Sequence, residues 1–118
     1  MNEIFDQLNR AGAETESALK RFLDDEEMYL KYVRTFPDEG SMGNLIQAVE
    51  NKDYIQAEKS VHALKGIANN LGFIPLADAT VDMLEELRDN NISEALEAYE
   101  NVRTEYDKIC KVIMEWRS

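Results

Sequence analysis

Residues 53–72 read DYIQAEKSVHALKGIANNLG, and the spacing of their apolar side chains decides the fold. Ala57, Val61, Leu64, Ala68 and Leu71 follow one another at alternating steps of four and three, the seam that a helix turns toward a bundle partner. Asp53, with Gln56 three residues on, resembles a capping box, because its carboxylate can accept from the free amides of the first turn. Gly72 supplies the left-handed residue that ends the helix. Downstream, Pro75 begins another helix in which Leu76, Thr80, Met83 and Leu87 keep the rhythm as far as the turn Asp89-Asn90-Asn91. Ser93 can cap the last helix, along which Ala95, Tyr99, Val102, Tyr106, Ile109, Ile113 and Trp116 hold the same steps. Upstream, the segment Glu39 to Glu50 places Met42, Leu45, Ile46 and Val49 at i, i+3, i+4 and i+7. Before it, a helical region with Tyr29, Leu30, Val33 and Phe36 on one side is stopped by Pro37, and a short first segment spans Asn2 to Arg10.

No segment alternates apolar and polar residues for long enough to suggest a strand. Short connections between long amphipathic helices force antiparallel neighbours. The chain is therefore expected to be all-α, an antiparallel up-down-up-down four-helix bundle with short extra helices at its amino end. No repeat, low-complexity linker or shift in composition divides it, so residues 1–118 are expected to form one domain. Met83, Met114 and the aromatic residues at seam positions are assigned to the core rather than to ligand contacts.

The 118 residues include 24 acidic and 13 basic side chains, a formal net charge of −11. Such a field repels phosphate backbones and anionic headgroups, so neither nucleic acid nor membrane is an expected partner. The longest uncharged stretch, Gly66 to Ala77, has 12 residues and contains Asn, Gly and Pro, well short of the roughly 20 apolar residues of a membrane helix. Glu3 and Asp6 stand where a secretory signal would carry positive charge, so the cytoplasm is the expected location. Cys110 is the one cysteine; it has no partner for a disulfide or a zinc site and reads as an ordinary helix residue.

The one histidine falls inside the deciding stretch. At about 100° per residue, His62 lies roughly 150° from the centre of the apolar seam, so its imidazole is expected to face solvent. Gly66 follows one turn later on the same side, mid-helix, where glycine costs roughly 1 kcal/mol relative to alanine. A missing side chain there leaves room for another protein to approach the ring. Lys65 and Lys59, three residues to either side, make a local positive island in an acidic protein, suited to a group that becomes anionic when modified. Ile55 and Asn69 extend the face with an apolar and an amide side chain.

The run His62-Ala63-Leu64-Lys65-Gly66, followed by Leu71-Gly72, resembles the signature of histidine-containing phosphotransfer (HPt) domains, His-x-Leu-Lys-Gly and then Leu-Gly. The resemblance covers nearly the whole chain, the family being a four-helix bundle of about this length with an exposed histidine midway along a central helix. It implies that His62 carries a phosphoryl group on Nε2, that Lys65 holds the phosphate oxygens, and that Gly66 makes space for an incoming receiver domain. Ile55, Lys59 and Asn69 of the His62 face are expected to dock the partner, together with Arg88, which matches a basic position found near the active histidine in some relatives. The sequence departs from the family at Leu84, 22 residues after the histidine, where many relatives carry a Glu or Gln that hydrogen-bonds the ring. Glu85 and Glu86 adjoin that position but project in different directions.

Imidazole titrates close to physiological pH, so a large fraction of an exposed ring is neutral and nucleophilic. The resemblance implies that the ring attacks the aspartyl phosphate of a response-regulator receiver, or of the receiver of a hybrid histidine kinase, and passes the group to another aspartate. No Gly-rich phosphate loop is present, so the expectation is a monomeric carrier that does not phosphorylate itself from ATP and needs no cofactor or metal beyond the receiver's magnesium. The histidine-bearing substrate domain of a chemotaxis-type kinase shares the motif. It ranks second because such a domain is normally fused to catalytic domains, whereas this sequence ends at Ser118 and has Leu84. A di-iron carboxylate bundle would need paired Glu-x-x-His motifs, which one outward His62 cannot supply. A noncatalytic adaptor of the same shape is the third alternative.

Overall fold

The computed structural model describes residues 3–118, which form seven α-helices and one 3-10 turn and contain no strand. The helices are α1 (Glu3–Arg10), α2 (Thr15–Arg21), α3 (Glu26–Thr35), α4 (Ser41–Glu50), α5 (Tyr54–Leu71), α6 (Ile74–Arg88) and α7 (Ile92–Arg117), with the 3-10 turn Phe36–Asp38 before α4. Consecutive packing of α4 on α5, α5 on α6 and α6 on α7 builds a helical bundle, and α3 lies against both α5 and α7. The short α1 packs on α7 and α2. Asn2, expected to open the first helix, lies outside the described residues.

The seams read from spacing are the core. Ala57, Val61, Leu64, Ala68 and Leu71 of α5 are buried, as are Leu76, Thr80, Met83 and Leu87 of α6 and Ala95, Tyr99, Val102, Ile109 and Ile113 of α7. Removing a Leu, Ile or Val side chain from water is worth roughly 1.5–3 kcal/mol, so these rows outweigh the modest helix propensity of any one segment. Tyr106 and Trp116 are only half-buried at the margin of the core. Met114, assigned to the core, is 49% exposed, because it sits one residue past the buried Ile113 and its side chain falls on the outer side.

Three boundaries differ from expectation. The helical region before Pro37 is interrupted at residues 22–25, where Leu23 and Asp24 adopt left-handed φ of 56° and 61°. Asp25 then restarts the helix by accepting a hydrogen bond from the Met28 amide, an acidic cap competing successfully with continuation. Helix α4 begins at Ser41 rather than Glu39, because the Glu39 carboxylate accepts from both the amide and the hydroxyl of Ser41 outside the helix. Ser93 does not cap α7; Asn91 occupies that position without a side-chain bond.

Helix α5 is anchored at both ends. Asp53 accepts from the Gln56 amide, as the capping pattern implies, while the Gln56 side chain donates to Ser60 Oγ instead of reaching back. At the other end Gly72, at φ 80°, completes a Schellman turn in which the Phe73 amide donates to the Ala68 carbonyl and the Gly72 amide to that of Asn69. The amino-terminal region adds donors to the four carbonyls of residues 69–72. Arg21 Nη2 donates to Asn69 at 2.6 Å and its Nε to Asn70 at 3.1 Å, the Tyr29 hydroxyl donates to Leu71 at 2.8 Å, and the Glu14 amide donates to Gly72 at 2.8 Å. These contacts bring the break after α2 and the turn after α5 together.

Two measurements test this anchoring. Tyr29→Phe leaves the buried Leu71 carbonyl without its donor and should lower unfolding free energy in urea by about 1–2 kcal/mol. Burial pushes the Tyr29 hydroxyl above its ordinary value of 10, partly opposed by Arg21. The fold thus favours the neutral phenol, a contribution present in full below pH 10 and lost as pH climbs above it, so the variant should lose stability less steeply than the parent between about pH 10 and 12. The same exchange at two glycines of this helix should have opposite signs. A Cβ at Gly72 would lie 2.7 Å from the Glu14 carbonyl oxygen, whereas one at Gly66 meets no atom within 4 Å. Gly72→Ala should destabilise by more than about 1 kcal/mol and Gly66→Ala should stabilise by up to about 1 kcal/mol, both read from urea midpoints.

Candidate functional site

Because the buried row of α5 fixes how that helix is rotated, the opposite row is presented outward. His62 is exposed, and Ile55, Glu58, Lys59, Lys65, Gly66 and Asn69 fall within about 60° of it around the helix axis. Ile55 is 75% exposed, a large apolar side chain with no intramolecular function. Lys59 is exposed and Lys65 half-buried. Beside the ring, the position of Gly66 is open space. The result is a ring reachable from outside, one turn from a gap and bordered by two ammonium groups, an arrangement able to take on an anionic group and admit the partner that delivers it.

The supporting helices complete the surroundings. Between α3 with its following turn and the carboxyl half of α5 runs an open groove of about 480 Å³, lined by Tyr32, Phe36 and Glu39 on one side and by Gly66, Ile67 and Asn70 on the other. It is continuous with the His62 face through Gly66, and Tyr32, half exposed at its rim, adds a large aromatic surface. Tyr32 has no motif to announce it in the sequence. It reaches the site because α3 packs on α5, and that neighbourhood is long-range. Arg21 likewise joins through tertiary contact, its guanidinium lying on the carbonyls of Asn69 and Asn70.

Two residues marked in the sequence have partners that alter their reading. Arg88, expected on the docking surface, lies with its Nε 3.7 Å from Oε1 of Glu58, both side chains being about half exposed. Leu84 is buried in the core of α6 and cannot present any group to the imidazole. Among the described residues, no hydrogen bond is formed to the His62 ring. Glu85 is exposed and Glu86 half-buried on successive sides of α6. Cys110 is half-buried on α7, and burial pushes its thiol up to about 11 against the opposing hydrogen bond from Tyr106, which leaves it a poor nucleophile.

No helix among the described residues is long and apolar enough to cross a membrane. In comparison with known proteins, no curated protein and no solved structure matches the chain. The family model of the Hpt domain matches residues 18–111, from α2 through most of α7. The match embraces the helix that carries His62 and every element that anchors its carboxyl end except the Glu14 amide. The chain belongs to the Hpt domain family, whose members are phosphocarrier modules that lack an ATP site of their own and work with receiver domains and kinases in phosphorelay signalling.

Proposed function

We propose that this chain is a phosphorelay intermediate in which His62 accepts a phosphoryl group from a receiver aspartate, including that of a hybrid histidine kinase, and delivers it to the aspartate of a second receiver. The observation that carries this reading is the exposed ring beside the open space at Gly66. In the forward step the Nε2 lone pair attacks phosphorus, the bond from phosphorus to the aspartyl oxygen breaks, and the carboxylate leaves with its electron pair; the reverse step restores neutral imidazole. Lys65 faces the equatorial oxygens and shares their charge with the receiver's own magnesium. Gly66 allows the receiver backbone to come within reach of the ring, and Ile55, Lys59 and Asn69 form the rest of the contact surface. The groove walled by Tyr32 and Ile67 extends that surface. The reading treats the chain as one domain acting as a monomer in the cytoplasm.

The test mixes the protein with a phosphorylated receiver and magnesium. An acid-labile, alkali-stable label should appear and should vanish in His62→Gln; a label that persists in that variant overturns the assignment. Lys65→Ala should slow transfer by about tenfold or more while moving the urea midpoint little, since it removes an outward charge. Gly66→Gln should keep the fold and slow transfer by obstruction, with binding weakened by about tenfold. Receiver binding without any transfer would instead identify a noncatalytic adaptor.

A further inference from the structure

The groove that opens beside Gly66 carries a single charge. Tyr32, Phe36 and Ile67 give it aromatic and apolar walls, and Glu39 is the one ionised side chain in its lining. Glu39 takes part in neither ion pair of the described residues, Arg88 being engaged with Glu58 and Arg117 with Asp38. Its carboxylate is nevertheless fixed in place, because Oε1 accepts from the Ser41 amide and Oε2 from the Ser41 hydroxyl, both at 2.9 Å. A carboxylate has about four acceptor sites on its two oxygens, so each oxygen keeps one open. Both donors are neutral and leave the negative charge uncompensated. On the same wall the Tyr32 ring rests against Phe22, with centroids 5.7 Å apart, and stays half exposed.

A side chain that suits this wall has an apolar stem and a planar cationic head. Arginine meets each feature: its two parallel N–H donors match the two carboxylate oxygens, its plane stacks on an aromatic face, and its stem packs on an aliphatic neighbour such as Ile67. An ammonium group supplies the charge but neither the fork nor the stacking plane. The signs along α5 point the same way. Lys59 and Lys65 precede Gly66 and are positive, whereas the groove beyond Gly66 is negative, so the two ends of this face select opposite charges on one partner and fix its orientation. An ion pair at Glu39 is worth little in open water and more once a docked protein covers it. We infer that the groove receives an arginine side chain of the receiver domain docked over His62, held by Glu39 and Tyr32. This role rests on the carrier reading above. It makes Glu39 a residue that selects among receivers, because one without the arginine would cover the carboxylate and leave it without a partner.

The test has two arms. In an NMR titration of the isotope-labelled full chain, N-acetyl-L-arginine amide should displace the amide signals of Gly66, Ile67 and Asn70 by about threefold more than the same concentration of its neutral counterpart, N-acetyl-L-citrulline amide. Glu39→Gln should abolish that difference. Equal responses of the parent to the two compounds overturn the inference. The second arm takes the receiver that labels the parent in the transfer assay and exchanges its surface arginines for glutamine one at a time. Glu39→Gln should weaken receiver binding by about tenfold, with a smaller effect on the transfer rate at saturating receiver, and one arginine exchange should give the same loss with no further loss when the two are combined. Tyr32→Leu should weaken binding by about threefold and Tyr32→Phe should recover it. The urea midpoint of Glu39→Gln should stay close to that of the parent, since glutamine keeps an acceptor for Ser41. A receiver in which no arginine is coupled to Glu39 overturns the inference while leaving the carrier reading intact. A parent that no receiver labels refutes the carrier reading instead, and the titration then decides the preference of the groove by itself.

Discussion

The burial of one row of side chains on α5 governs everything else in this molecule. Ala57, Val61, Leu64 and Ala68 are sealed completely and Leu71 nearly so, and no small rotation of the helix would keep all five out of water. The angular position of His62 is thus a consequence of hydrophobic packing on the far side of the same helix. Several kilocalories of apolar burial hold that orientation, more than a surface charge or hydrogen bond could oppose. The site needs no cavity and no strained backbone at the histidine. What it needs is a rigid cylinder that cannot turn.

Rotation is only one degree of freedom, and the other is controlled by the amino-terminal helices. Arg21, Tyr29 and the Glu14 amide end on the consecutive carbonyls of residues 69–72, and among them those of Asn70 and Leu71 are groups that the helix terminus leaves free. The same contacts hold α3 beside α5 and thereby form the groove that runs from Tyr32 to Gly66. Satisfying the helix end and shaping this groove are one structural event. The left-handed residues Leu23 and Asp24 let the chain reverse between α2 and α3 so that Arg21 and Tyr29 can both reach that end. A non-glycine residue in this conformation costs roughly 1–2 kcal/mol, which the hydrogen bonds and the burial of Phe22 and Tyr29 offset.

Charge is distributed with the same economy. The net charge of the chain is −11, while Lys59 and Lys65 give the His62 face a local sign opposite to the whole. Arg88 could have strengthened that island, but it is engaged with Glu58. The cations of this region therefore divide into two that flank the exposed ring on its own helix and one that lies beside a carboxylate.

The sequence by itself determined the helical class, the three seams of the bundle, the Gly72 terminus and the outward setting of His62 with open space at Gly66, because each follows from a period of 3.6 or from a local φ that one residue type favours. The phosphotransfer signature around His62 was legible for the same reason, its spacing being confined to one helix. Local pattern reached too far where caps compete: the region before Pro37 is broken by Asp25, and Ser93 is passed over for Asn91. Only the tertiary structure decided that Arg88 meets Glu58, that Leu84 faces the core, and that Tyr32 and Arg21 flank the site. These are pairings between residues up to 49 positions apart, set by which helix packs on which, and no periodicity within a single helix encodes them.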